Sequence, residues 1–155
     1  MVVSRQSSVV RGGAQADGIA APDGHRSPRG YRDLDVYKRS FGLLKPLHRL
    51  VLTFPDYEKY DLASQLRRAS KSIPANIGEG YALRDAPKLF CKHLSIAYGS
   101  ASEVRVHLDV ALELEYVPSE VHKDLEGQFE IVAKQLFRLW QHWRQTLCVV
   151  DDDDS

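Results

Sequence analysis

Gln65, Arg68, Ser72, Asn76 and Glu79 recur at intervals of three, four, four and three residues. On an α-helix that spacing places all five on one face. Their amides, hydroxyls and carboxylate suit a hydrogen-bond network, and an Arg beside them suits a carboxylate or phosphate. A second run, His93, Ser100, Glu103 and His107, has the spacing of a matching flank on the next helix. Buried polar groups left unpaired cost about 1–3 kcal/mol each, so the two flanks are expected to pair. The favoured reading is a structural polar network of Gln65, Arg68, Ser72, Asn76, Glu79, Ser100 and Glu103, with Arg68 to Glu103 as one example of its pairs. A ligand site or a subunit interface on the same face stays open.

Catalytic and metal-binding patterns are missing from the sequence. Glu103 and His107 stand four apart, whereas di-metal carboxylate bundles use Glu-x-x-His pairs on two helices. His93, His107, His122 and His142 do not form HExxH, and no GxxxxGK[ST] or GxSxG element occurs. Cys91 and Cys148 lie far apart, outside any CxxC spacing. They read as two reduced thiols of a cytoplasmic protein. No enzyme activity, cofactor or metal is expected.

Charge points elsewhere. The chain has 155 residues, with 21 Lys and Arg balancing 21 Asp and Glu. That neutrality excludes a bulk polycation but permits a local basic patch. Residues 62–102 hold six cations, Arg67, Arg68, Lys71, Arg84, Lys88 and Lys92, against Glu79 and Asp85. Residues 103–130 hold eight acids against Arg105 and Lys123. The six cations are candidate contacts to an RNA or DNA backbone, where each would neutralise one phosphate. A solvated face, or packing between subunits of opposite local sign, would use the same residues.

The elements that must position these groups are helical. Val36/Tyr37, Phe41, Leu44, Leu47, Val51 and Phe54 mark a first helix, with Asp33 as N-cap and Pro55 as its stop. Leu62, Leu66, Ala69, Ile73 and Ile77 mark a second over about 60–82, with Pro74 inside it. Phe90, Leu94, Ala97, Ala101, Val104, Leu108 and Ala111 mark a third over about 86–115. Val121, Leu125, Val132, Leu136, Leu139 and Trp143 mark a fourth, from Pro118 or Ser119 to about Leu147. The fourth helix carries a second apolar line, Phe129, Ala133, Phe137 and Trp140. Its wide apolar face makes Phe129, Phe137 and Trp140 a candidate protein interface, unless the tryptophans fill the end of the core.

The pattern predicts an all-α protein, an antiparallel up-down four-helix bundle over residues 32–147. Residues 1–31 read as a basic disordered tail and residues 148–155 as an acidic disordered one. No stretch approaches the ~18–20 apolar residues of a membrane span, and no secretory h-region is visible.

The run QLRRASKSIPANIGEG, Gln65–Gly80, is distinctive. With RDLDVYKRS upstream, FPDYEKYDL before the second helix and LSIAYGSASEV in the third, it resembles the four helix bundle protein family. That family is also known as the 23S rRNA intervening-sequence proteins. The likeness covers about residues 31–143 and rests on Gln65, Arg67, Arg68, Ser72, Pro74, Asn76, Glu79, Gly80, Gly99, Ser100 and Glu103. It implies a non-enzymatic cytoplasmic bacterial bundle. Through similarity to the accessory variability determinants of diversity-generating retroelements, it implies a homopentamer that meets nucleic acid and a reverse transcriptase. The chain departs from the family pattern at Tyr37, Asp61, Lys71 and Gly78. Lys71 adds charge beside Arg67 and Arg68. Pro74, with Gly99 and Ser100 facing it, suggests a close helix approach.

Overall fold

The computed structural model describes the backbone of residues 29–151 and the side chains of residues 29–145. Residues 1–28 and 152–155, which hold most of the first tail assigned from the sequence and half of the second, lie outside the described residues. Four helices form: α1 Asp35–Val51, α2 Leu62–Ala82, α3 Pro87–Glu113 and α4 Ser119–Asp151. Short 3-10 turns at Tyr31–Asp33 and Asp56–Glu58 precede α1 and α2. No strand occurs among the described residues. The backbone of α4 continues four residues past Leu147.

Each helix packs on two neighbours, in the cyclic order α1, α2, α3, α4 and back to α1. Side-chain pairs fix the directions. Ser72 meets Ser100 while Asn76 meets His93, and Arg105 meets Glu126 while Asp109 meets His122. One partner's number rises as the other's falls, so the neighbours run antiparallel. The result is the four-helix bundle that the apolar spacing predicts.

The core lines of α2 and α3 lie where the spacing puts them. Leu62, Leu66, Ala69, Ile73 and Ile77 are buried, as are all seven apolar positions read for α3. Proline at the start of α3 suits its first turn, where the missing N–H has no helical partner to lose.

α1 departs from its predicted register. The buried residues are Val36, Ser40, Leu43, Leu47 and Val51. Phe41 is 56% exposed and Leu44 is half-buried. Ser40 accepts an inward position because its hydroxyl donates to the Tyr37 carbonyl at 3.0 Å. With that group satisfied locally, its burial costs little. Asp33 is not the N-cap. Leu34 occupies that position, and Asp33 instead accepts the Arg29 N–H at 2.9 Å. α4 is also corrected. Phe129 has no exposed surface and Ala133 is buried, while Val121 points outward.

α3 ends in a Schellman turn. The Tyr116 N–H reaches the Ala111 carbonyl at 2.9 Å, and the Glu115 N–H reaches Leu112 at 3.0 Å. That geometry holds Glu115 at φ 59, the left-handed region that disfavours a Cβ. Glu115→Gly should therefore raise the unfolding free energy by about 1 kcal/mol, read as a higher urea midpoint at unchanged slope.

Candidate functional site

The polar flanks of α2 and α3 do meet, but with a different membership. The Ser100 hydroxyl donates to Ser72 Oγ at 2.9 Å. The Asn76 amide donates to Ser72 Oγ at 3.1 Å and to the Ser72 carbonyl at 2.9 Å. His93 Nδ1 lies 3.0 Å from Asn76 Oδ1, so its Nδ1–H donates there. Glu79 closes the row, 3.7 Å from the same His93 nitrogen. The expected Arg68–Glu103 pair does not form. Glu103 lies 3.5 Å from His107 on its own helix, and Gln65 donates to Asp61 at 3.2 Å. Arg68 and Glu103 are exposed, so water solvates them at no desolvation cost.

Gly80 sets the spacing of this seam. A methyl there would sit 2.8 Å from His93 Cβ and 2.9 Å from Phe90 Cδ2. Gly99, where the close approach was expected, faces open space. Gly80→Ala should lose up to about 2 kcal/mol, because overpacking of about 1–3 kcal/mol outweighs the helix-propensity gain of about 1 kcal/mol. Gly78→Ala should gain up to about 1 kcal/mol, since its methyl would make an ordinary 3.6 Å contact with the Tyr31 ring. Urea unfolding should show the two midpoints moving in opposite directions.

The six candidate backbone contacts are not gathered on one face. Arg84, Lys88 and Lys92 lie at the α2–α3 turn and the start of α3. The Arg84 guanidinium sits 4.6 Å over the Tyr81 ring and donates to the Tyr81 carbonyl at 3.0 Å. Lys71 lies eleven residues before Ala82, about 16 Å along α2 from that turn. Arg68 is exposed near it. Arg67 donates to the Lys59 carbonyl at 2.7 Å, which aims it at the α1–α2 loop.

Lys71 and Arg67 lie close enough to His48 of α1 for their charges to act on it. Burial first, then the charges of Lys71 and Arg67, pull the His48 imidazole below its ordinary pKa. The ring is therefore neutral at pH 7, and its Nε2 is buried with no hydrogen-bond partner. A groove of about 530 Å³ lies between α1 and α2. Tyr31, Tyr37, Phe41 and Leu44 form one wall, and Lys71, Pro74, Ala75, Gly78, Glu79 and Ala82 the other. Tyr37 and Phe41 stack, with ring centroids 5.7 Å apart and planes at 19°, and Tyr31 meets Tyr37 edge-on at 4.9 Å. The sequence reading placed Phe41 and Leu44 in the core and so missed this wall. The signal available was the second apolar line on α1, at Tyr37, Phe41 and Leu44.

The expected α4 interface divides as well. Phe129 belongs to the core. Phe137 is 38% exposed and Trp140 is half-buried. Both rings pack against Tyr98 of α3, with centroids 5.6 Å and 6.2 Å away. Trp143 packs edge-on against Phe90 at 4.8 Å and fills the core end. Cys91 is buried, and burial pushes its thiol pKa up. The Cys148 side chain lies outside the described ones. Among the described residues no group of three or more His, Cys, Asp or Glu is placed to hold a metal ion. Nor is any described helix long and apolar enough to cross a membrane.

The sequence pattern of the 23S rRNA-intervening sequence protein family matches residues 32–138. The chain belongs to that family. Its bundle resembles the crystal structure of a protein of unknown function, from the S23 ribosomal protein family of Bacteroides thetaiotaomicron. The two share 22% identity and a TM-score of 0.62, over 68% of this chain and 95% of that one. No curated protein matches the chain. In this 23S rRNA-intervening sequence protein the family match spans every residue of the α2–α3 polar seam and of the groove except Tyr31. Tyr37, Lys71 and Gly78 line the groove.

Proposed function

We propose that this protein is a non-enzymatic, self-associating binding protein that holds nucleic acid, free or within a ribonucleoprotein, against α1 and α2. The distribution of charge over the bundle carries this reading. α1 and α2 hold seven Lys and Arg against only Asp35 and Glu79, whereas α3 and α4 hold seven against eight acids. The cationic side is thus the α1–α2 pair, not the α2–α3 pair that block sums along the chain suggested. Such a face attracts phosphate through counterion release, without base specificity. The family's name, which refers to 23S rRNA intervening sequences, fits an RNA partner. For self-association the support is the aromatic ridge of Tyr98, Phe137 and Trp140 on the opposite side of the bundle. A homopentamer is the proposed state.

The test is a salt titration of binding to an unstructured RNA. Arg67→Glu with Lys71→Glu should weaken binding at least ~10-fold at low salt, and flatten the salt slope by about 1.4 if each cation meets one phosphate. Lys92→Glu, remote from that pair, should weaken it less. Absence of RNA and DNA binding by the wild type at low salt would overturn the proposal. Phe137→Glu should reduce the mass measured by light scattering; an unchanged mass would remove the ridge from the assembly.

A further inference from the structure

We propose that the α1–α2 groove is a stacking site for the unpaired bases of single-stranded nucleic acid, with Phe41 and Tyr37 as its platform and Lys71 as its phosphate contact. This rests on the function proposed above and specifies the strand state that the protein selects.

Phe41 presents 56% of its surface although it stands on a helix whose core side, Val36, Leu43, Leu47 and Val51, is apolar apart from Ser40. Its outer ring face continues a stack already begun with Tyr37, at 5.7 Å and 19°. A flat base extends such a stack at little entropic cost, because the ring beneath is held and needs no reordering. The opposite wall is low. Pro74, Ala75 and Gly78 put no long side chain into the groove. A planar group of base size therefore has room between the walls.

Charge picks the occupant. An aliphatic or lipid segment would fit the rings but not Lys71 on the rim, nor the charges of Arg67 and Lys71 that act on His48 further along. A phosphate track fits both. It runs from Lys71 toward Arg67, away from Glu79, whose carboxylate sits at the other end and faces His93. One turn after Phe41, Lys45 stands exposed on the same helix. Stacked rings beside a cationic track are the two parts of a single-strand site. A duplex offers the phosphates but keeps its base faces internal, so it can use only one of them.

The test compares a fluorescent oligouridylate with an RNA duplex, by anisotropy, on the full chain. Phe41→Leu keeps an apolar side chain but removes the π face. It should weaken oligouridylate binding about 10-fold, with the salt slope and duplex affinity unchanged. Phe41→Trp should restore binding. Lys71→Glu should weaken both ligands and lower the single-strand slope by about 0.7. Phe41 is exposed, so thermal melting should show the variants folded. If the wild type binds both ligands and Phe41→Leu binds them as well as the wild type does, the base site is wrong and the cationic face stands. If Phe41→Leu instead lowers the mass of the assembly, a second copy of the chain fills the groove and the proposal fails. If the wild type binds neither ligand, the function proposed above fails and takes this site with it.

Discussion

Phe129→Ala should lower the unfolding free energy by about 3–5 kcal/mol, the cost of emptying an aromatic site that cannot collapse. Phe129 is among the largest side chains with no exposed surface, on the α4 face that also buries Leu125, Val132 and Leu136. Urea unfolding at constant slope would measure the loss. Phe137→Ala, two turns further and 38% exposed, should cost less than about 1 kcal/mol. The pair separates core from surface along one apolar line. A Phe129→Ala protein that unfolds like the wild type but no longer self-associates would return Phe129 to the interface.

That line was ambiguous in sequence for a definite reason. α4 carries two apolar rows side by side, and three-and-four spacing is satisfied by either. Phe129 lies between Leu125 and Val132, where the packed row turns through it. The same ambiguity misplaced the α1 core. Tyr37, Phe41 and Leu44 form a cleaner apolar series than Val36, Ser40 and Leu43, because Ser40 breaks the inner row. Only the local bond from Ser40 to the Tyr37 carbonyl makes that serine an acceptable core residue. α2 and α3 carry one dominant row each, and there spacing alone located the buried residues. The bundle itself, its four helices and their order, was legible throughout.

The polar seam was legible as a face but not as a set of pairs. Spacing put Ser72, Asn76 and Glu79 beside α3, and they lie there. It could not say that Arg68 is one position too far toward solvent, or that Glu103 reaches His107 more easily than the next helix. Such choices depend on tens of degrees of helix rotation, set by the whole core. Gly80 and Gly99 show the same limit. Both lie within the family match, yet of the two only Gly80 is a place where a Cβ would strike its neighbours. The groove is the largest gap. Its walls come from residues distant in sequence, and its aromatic wall arises from the α1 register that the sequence left unresolved.

Glu58→Ala should cost about 2–3 kcal/mol, the loss of two hydrogen bonds to a buried carboxylate. Glu58 is only 9% exposed, in the turn before α2. Its Oε2 accepts the Leu62 N–H at 3.1 Å, and its Oε1 accepts the Tyr116 hydroxyl at 3.0 Å. It therefore caps the start of α2, where a negative charge also meets the favourable end of the helix dipole. It also ties the α1–α2 connection to the α3–α4 loop, two elements distant in sequence. Asp61 supplies no such cap, since its side chain takes the Gln65 amide instead. The Tyr116 hydroxyl lies 2.9 Å from that of Tyr57. That bond first, then burial, then Glu58, raise the Tyr116 pKa above its ordinary value near 10. The sign of the linkage follows. A phenol whose pKa is raised by folding holds its proton longer when native, so its contribution is complete below pH 10 and is lost as pH climbs above that. Glu58→Ala removes one of the raising groups. Its tyrosinate absorbance should therefore grow in at lower pH than in the wild type. A stability change below about 1 kcal/mol with an unmoved tyrosinate titration would show that Glu58 neither caps α2 nor holds the loop.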